Sequence, residues 1–340
     1  TTEIYTLSLH DALPISLAAL VVVLVFAPLR TLIATEATLQ LPLDIGQLSL
    51  IGLLGAWAVY RITRRQPVFK LSWSPVYVPL IVFLLGILPG AFLAASIGAW
   101  LNEWLKWLQI LVLVVFCLMM IKGRNWHWIV FGLVSAGIAN AIVGIYEYFG
   151  GSGALHLLIN GRYFRAFGTF GQPNPFGGFM GLIAPLSLMM VVGSAWRLWA
   201  NWRDGRSVDR NALLKLIFYG FASGLMTMAL FMSWSRGAWL GFGGAVAVMV
   251  VALPQKLWHG LVVIALGAAL AGILLLSGRL PQSIVDRFTS GEEYSFLDDM
   301  RGVDITSENY AVVERLAHWQ AALNMAQDNP YFGVGMGNYE

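Results

Sequence analysis

The sequence is poor in charged residues and holds a single cysteine. Charged side chains make up 11% of its 340 residues and hydrophobic ones 58%, whereas about a quarter of an average soluble domain is charged. Cys117 has no second cysteine to pair with, so an intrachain disulfide is excluded. Lys and Arg occur singly or in short groups rather than in a block, so we expect no nucleic-acid partner. The composition excludes a soluble globular protein.

Apolar runs of near-spanning length recur along the chain. A bilayer core about 30 Å thick requires roughly 20 apolar residues per helix, and only helices satisfy the backbone polar groups of such segments in lipid. The sequence therefore predicts an all-α, polytopic transmembrane helical bundle with about nine spans. They cover about 16–34, 45–60, 75–95, 102–121, 127–148, 174–195, 212–233, 237–253 and 257–277.

The distribution of Lys and Arg predicts the topology. Cytoplasmic loops carry an excess of these residues, and alternate loops here are rich in them, which predicts a cytoplasmic N-terminus. The basic loops contain Arg61, Arg64, Arg65 and Lys70; Lys122 and Arg124; Arg197, Arg203, Arg206, Arg210 and Lys215; and Lys256. The intervening short loops contain only Arg162, Arg165 and Arg236, with Arg30 and Lys106 at their edges.

Three regions follow from the composition. Residues 1–15 differ from the rest, and their string SLHDALPI resembles translated sequencing-adapter sequence, so we interpret them as non-native. Residues 16–278 form the predicted transmembrane domain. Residues 279–340 form a predicted extracytoplasmic loop, whose segment 311–326 has the one-sided apolar stripe of an amphipathic helix. The chain stops at Glu340 inside this loop, so we expect a fragment that lacks one or more closing helices.

The arginines on the predicted external face are the main candidates for chemistry. Positive charge is disfavoured there, yet this face contains Arg162, Arg165, Arg236 and, on the amphipathic helix, Arg315. A guanidinium stays charged and binds phosphate oxygens bidentately, so several of them in one cleft would hold a pyrophosphate without a metal. The alternative is that each side chain snorkels to lipid headgroups.

Other polar residues near this face have structural explanations that compete with functional ones. Asn174 and Pro175 fit the N-cap and first position of the sixth span, although a polar contact of Asn174 remains open. Glu147 ends the fifth span, where it either faces a cavity or is solvated. His318 lies one turn from Glu314 and beside Arg315, which favours surface salt-bridging.

Two further patterns do not predict a nucleotide or metal site. The GVGMG segment at 333–337 lacks the strand before it and the helix after it that a phosphate-binding loop requires. The acidic pairs Glu292-Glu293 and Asp298-Asp299 are not spaced as a cation-binding loop. We therefore predict no metal and no cofactor.

Three segments together resemble the O-antigen ligase and O-antigen polymerase family of bacterial membrane glycosyltransferases. They are RAFGTFGQPNPFGGFMGLIAPL at 165–186, SWSRGAWLGF at 233–242, and ERLAHWQAALNMAQDNPYFGVGMGNY at 314–339. Their order and shared predicted face carry the resemblance.

The resemblance implies a metal-independent, inverting transferase of the bacterial cytoplasmic (inner) membrane. Its donor would be a glycan on undecaprenyl pyrophosphate, and its acceptor a hydroxyl of a lipid A core, a glycan or a protein. Arg165 and Arg236 match arginines thought to hold the pyrophosphate, and we add Arg162, Asn174 and Arg315 as substrate-binding candidates. The family's catalytic base is a histidine further along the loop, so it is expected beyond Glu340 and is not His318.

A transporter or flippase for a lipid-linked or anionic substrate is the alternative from another class. Transporters often show internal repeats and polar residues near the membrane midplane. This sequence has no clear repeat, and its unusual charges lie at one face. The sequence leaves open the donor sugar, the acceptor, and the choice between ligase and polymerase.

Overall fold

The computed structural model describes residues 12–26, 28, 45–63, 65, 73–120, 125–151, 158–159, 163–254, 256–277, 299, 301–304 and 310–339. This part of the chain is almost entirely helical, and its one small sheet has two strands. The predicted all-α architecture is confirmed. The ten α-helices are α1 (Ala12–Phe26), α2 (Ile45–Thr63), α3 (Tyr77–Gly86), α4 (Ile97–Met120), α5 (Trp126–Tyr146), α6 (Pro173–Arg203), α7 (Arg210–Met232), α8 (Arg236–Ala252), α9 (Leu257–Leu276) and α10 (Tyr310–Asp328).

Shorter elements link some of these helices. A 3₁₀ turn covers Leu88–Phe92, and a π-helical turn, Glu147–Gly151, extends α5. Strands β1 (Leu158–Ile159) and β2 (Tyr163–Phe164) pair antiparallel, and a 3₁₀ turn at Gly168–Phe170 leads into α6.

Five of the described helices are long and apolar enough to cross a membrane. They are Ile97–Met119, Trp126–Gly151, Pro173–Arg203, Arg210–Met232 and Leu257–Leu274. Shorter apolar helices cover Leu48–Thr63, Tyr77–Phe92 and Arg236–Ala252. The protein is therefore a multi-pass membrane protein, while the total of nine spans stays a prediction.

The predicted third span, 75–95, is interrupted. Helix α3 has 10 residues, which at 1.5 Å per residue is about 15 Å, half of a bilayer core. Its continuation is a 3₁₀ turn with Pro89 near its start, because proline removes one backbone donor and its ring opposes a continuous α-helix. The predicted third span is thus an α-helix continued by a 3₁₀ turn, and its crossing of the membrane stays a prediction.

The described helices fall into two compact units. The first contains α1, α2 and α5 to α9, and the second contains α3, α4 and α10. The core of the first unit is formed by α5, α6 and α7, where Val134, Met180 and Met226 are fully buried. Glycines let the helices approach: a Cβ on Gly137 would collide with the Met226 side chain, and one on Gly144 with the Phe176 ring.

Packing within the second unit explains why the GVGMG segment is rich in glycine. Helix α10 ends at Asp328 just before Pro330, as predicted, and the chain then packs against the segment before and at the start of α4. Gly335 and Gly337 have φ of 81° and 71°, and a Cβ on them would lie 2.7 Å from Gly90 O and 2.8 Å from Ala99 O. Only glycine permits both the backbone conformation and this approach.

Other contacts in the second unit fasten the same segment. The Asn338 side chain accepts a hydrogen bond from the Ser96 N–H at 2.7 Å, and the Tyr339 ring stacks with that of His318 at 5.6 Å. Helix α10 covers the predicted amphipathic segment 311–326, whose apolar stripe was expected at positions 312, 316, 319 and 323. Leu316 is buried with its neighbour Val313, but Trp319 and Leu323 are exposed.

Candidate active site

Arg165 joins three segments at one end of the first unit. It follows β2 directly, and its Nε donates to the carbonyl oxygen of Ser233 at 3.1 Å. Its Nη2 donates to Asn174 Oδ1 at 3.3 Å and to the Trp234 carbonyl oxygen at 3.5 Å. One guanidinium thus links the loop before α6, the first turn of α6, and the turn between α7 and α8.

The turn between α7 and α8 places Arg236 beside these contacts. It contains Ser233, Trp234 and Ser235, and Arg236 is the first residue of α8. Trp234 has a φ of 55°, a conformation that non-glycine residues rarely adopt. The N–H of Ala166, next to Arg165, donates to the Met232 carbonyl oxygen at 2.9 Å. The loop containing Arg165 and the turn leading to Arg236 are therefore directly bonded.

Close packing under this turn depends on Gly177. A Cβ at that position would lie 2.7 Å from Ser233 Oγ and 3.0 Å from Ala238 Cβ. The neighbouring Gly178 faces open space, with no atom within 4 Å of a Cβ. Gly177 thus lets the start of α6 lie directly against the turn whose carbonyl groups bind Arg165.

Two buried polar side chains of the fifth predicted span hold the other side of the Arg165 loop. Glu147 Oε2 accepts hydrogen bonds from the N–H groups of Phe167 at 2.9 Å and Gly168 at 2.6 Å. Asn140 Oδ1 accepts from the Thr169 N–H at 3.3 Å and from the Thr169 hydroxyl at 2.7 Å. Buried backbone donors require such partners, and here they fix the conformation of three successive residues.

This arrangement resolves the open interpretations of two residues. Asn174 is not an N-cap: α6 begins at Pro173, its N-cap is Gln172, and Asn174 contacts Arg165 instead. Proline is favoured at the first helical position because its missing donor is not needed there, which moves the helix start to Pro173. Glu147 is buried rather than solvated, and its carboxyl group contacts backbone instead of an open cavity.

The remaining candidate residues lie elsewhere. Arg162 lies outside the described residues, as does His156. Arg315 lies on α10 in the second unit, where its side chain is exposed. The structure therefore brings Arg165 and Asn174 together at the turn that precedes Arg236, and the substrate-binding role of Arg315 stays a prediction.

The electrostatics of this end favour an anion. The Arg165 contacts with Ser233, Trp234 and Asn174 are with neutral carbonyl and amide oxygens, which do not neutralise a guanidinium. Helices α6 and α8 both begin here, and the side chains of their N-caps, Gln172 and Ser235, accept no hydrogen bond from the first turn of the helix. Helix N-termini carry partial positive charge. Sequence reasoning found the arginines and the approximate helix starts, but it did not consider the partial charge of these two helix N-termini.

Within the described ranges, no three His, Cys, Asp or Glu side chains come together as metal ligands. Of the acidic pairs, Glu292, Glu293 and Asp298 lie outside those ranges. Asp299 accepts hydrogen bonds from Arg301 Nε at 3.0 Å and Nη2 at 2.9 Å. These bonds to the Arg301 side chain hold the pKa of the Asp299 carboxyl below its usual range.

Comparison with known families agrees with two of the three motifs, those at 233–242 and 314–339, and does not extend to the motif at 165–186 that contains Arg165. A family model for O-antigen ligases matches residues 221–340, a range that includes α8 with Arg236 and the whole of α10. No curated protein and no solved structure matches the chain. The family points to a membrane glycan ligase or polymerase that uses lipid-linked donors. The match over residues 221–340 supports the resemblance to an O-antigen ligase-like family.

Proposed function

We propose that the protein transfers a glycan from undecaprenyl pyrophosphate to an acceptor hydroxyl at the outer face of the bacterial cytoplasmic membrane. The acceptor is a lipid A core, a glycan or a protein. The observation that carries this proposal is the attachment of Arg165 to the turn that begins α8 with Arg236. Nothing in the described residues favours the transporter alternative over this one.

The proposed reaction exchanges one bond at the anomeric carbon for another. The acceptor oxygen forms a bond to sugar C1 as the bond from C1 to the pyrophosphate oxygen breaks, with inversion at C1. The bonding electrons leave with the pyrophosphate, and a base takes the hydroxyl proton. We place that base beyond Glu340, as the family resemblance implies.

The arginines would act on the leaving group. The pyrophosphate gains negative charge as the bond breaks, and preorganised cations stabilise that charge in the transition state. Because Arg165 is held by Ser233 and Asn174, it needs no rearrangement to meet the donor. We propose that this charge compensation replaces a metal ion. Removal of one such donor typically costs about 2.7–4 kcal/mol of transition-state stabilisation.

A transfer assay with the full-length protein, a lipid-linked donor and an acceptor tests this function. We expect Arg165→Ala and Arg236→Ala each to lower the rate by about a hundredfold or more. Arg206→Ala is the matched control, because Arg206 is an exposed arginine on the loop between α6 and α7. Equal rates in all three variants and the unaltered protein would contradict the proposed role of the two arginines.

A further inference from the structure

A polar cavity lies at the opposite ends of the helices that form the candidate active site. It has a volume of about 500 Å³ and lies between the start of α5, the second half of α6 and the start of α7. The candidate active site lies at the end of α5, the start of α6 and the end of α7. Helix α7 has 23 residues, which span about 34 Å, slightly more than the roughly 30 Å of a bilayer core.

The cavity carries a net positive charge from its lining side chains. Arg197 Nε and Asp209 Oδ2 form an ion pair at 2.7 Å. Asp209 also caps α7 by accepting from the N–H groups of Asn211 and Ala212. The Ala212 N–H, followed by Arg197, holds the pKa of Asp209 below its usual range, so the carboxylate stays ionised and offsets Arg197.

Because Asp209 offsets Arg197, the net positive charge of the cavity comes from Lys215. It lies one turn into α7, is half-buried, and lines the same cavity. Asp209 is the only acidic side chain among the described residues that line it. A cation in such a cavity favours an anionic ligand, and more strongly than the same cation would on an open surface.

His127, Ser194 and Asn211 add further polar groups to the lining. Another part of the lining is apolar and continues to the outer surface of the bundle. Met189 and Met190 of α6 and Leu214 of α7 line the cavity, and Met189 and Leu214 are 40% and 55% exposed. A cation beside exposed apolar side chains fits a molecule that is both anionic and apolar. Basic pockets between transmembrane helices bind anionic lipid headgroups in this way.

We propose that this cavity binds the phosphate headgroup of an anionic phospholipid in the leaflet opposite to the candidate active site. Lys215 contacts the phosphate, Arg197 and Asp209 form the polar wall, and an acyl chain lies along Met189 and Leu214. The proposal is independent of the proposed transfer reaction, because it concerns the other end of the same helices.

Lipid binding to the purified full chain tests the proposal. Phosphatidylglycerol and phosphatidylcholine are titrated separately, and retained lipid is counted by native mass spectrometry. We expect phosphatidylglycerol to bind more tightly. Lys215→Ala should weaken phosphatidylglycerol binding about fivefold, the contribution of one basic residue near an anionic lipid, and leave phosphatidylcholine unchanged. Lys215→Arg should restore binding.

The controls separate this site from general surface attraction. Arg206→Ala removes the same charge from the neighbouring loop, but Arg206 does not line the cavity, so we expect unchanged binding. Equal affinity of the Lys215→Ala variant and the unaltered chain would overturn the proposal, as would an equal loss in Arg206→Ala. Displacement of phosphatidylglycerol by millimolar inorganic phosphate would overturn the lipid assignment and indicate free phosphate as the ligand.

Discussion

Arg165 Nε donates a hydrogen bond to the carbonyl oxygen of Ser233 at 3.1 Å, across 68 positions of sequence. The bond joins the loop before α6 to the turn that ends at Arg236, so the two arginines of the candidate site share one support. Ser233 is itself fully buried, and its hydroxyl donates to the Leu230 carbonyl oxygen at 2.6 Å. A change that moves this turn should therefore disturb both arginines together.

Gly177 provides a direct test of that support. Gly177→Ala places a methyl group 2.7 Å from Ser233 Oγ, so the turn must shift. Misplacement of catalytic groups by about 1 Å costs on the order of a hundredfold in rate, and we expect a loss of that size in the transfer assay. Gly178→Ala is the matched control because a Cβ there meets open space. A Gly177→Ala protein as active as the Gly178→Ala protein would show that the turn does not position the site.

Glu147 should position the Arg165 loop through its backbone bonds. Glu147→Ala leaves the N–H groups of Phe167 and Gly168 without their shared acceptor, at a cost of about 1–3 kcal/mol for each buried donor. We expect a raised KM for the lipid-linked donor and a lower kcat. Glu147→Gln retains an acceptor oxygen of the same reach, so it should recover most of the activity. Failure of Glu147→Gln to exceed Glu147→Ala would argue against positioning by these bonds.

The glycines of the second unit should matter for stability. Gly337→Ala adds left-handed strain, about 1–2 kcal/mol for a residue with a Cβ, and also brings its Cβ to 2.8 Å from Ala99 O. Gly333→Ala adds the same strain at a φ of 64° but meets no atom within 4 Å. Thermal unfolding should therefore occur at a lower temperature in Gly337→Ala than in Gly333→Ala. Equal decreases in unfolding temperature would mean that the close packing of Gly337 against Ala99 contributes nothing to stability.

The sequence could predict the helical fold because apolar runs of spanning length leave little alternative in a membrane. The Lys and Arg asymmetry predicts an external position for Arg165 and Arg236, which stays a prediction, and the structure places Arg165 at the turn before Arg236. The interruption at Leu88 was accessible in principle, because Pro89 and Gly90 mark a break in a helical pattern. The break was not predicted because the apolar residues on both sides of Pro89 and Gly90 form one run of spanning length.

Other features could not have been predicted. Glu147 binds backbone N–H groups 20 and 21 positions away, and every non-proline residue has such a group, so no residue pattern indicates the partner. The packing of Gly335 on Gly90 joins positions far apart in sequence without any periodicity. The cavity beside Lys215 depends on how three helices pack, whereas the sequence shows only a basic loop.

Independence of a divalent cation distinguishes the proposed mechanism from metal-dependent glycosyl transfer. Because the arginines supply the positive charge, we expect full transfer activity in excess chelator. Asp298→Ala combined with Asp299→Ala should leave activity unchanged, since Asp299 is already bonded to Arg301. Loss of activity on chelation, with recovery on adding a divalent cation, would contradict the arginine mechanism.

In the proposed mechanism, Arg165 and Arg236 together bind the pyrophosphate of the donor. The most direct test of this binding is the affinity of the full-length protein for undecaprenyl pyrophosphate, with undecaprenyl phosphate as the comparison ligand. Both affinities are measured in the unaltered protein and in the Arg165→Lys and Arg236→Lys variants. Lysine keeps the charge but loses bidentate binding, so we predict that each variant loses about tenfold in affinity for the pyrophosphate and less for the monophosphate. Unchanged affinity for undecaprenyl pyrophosphate in both variants would contradict the account.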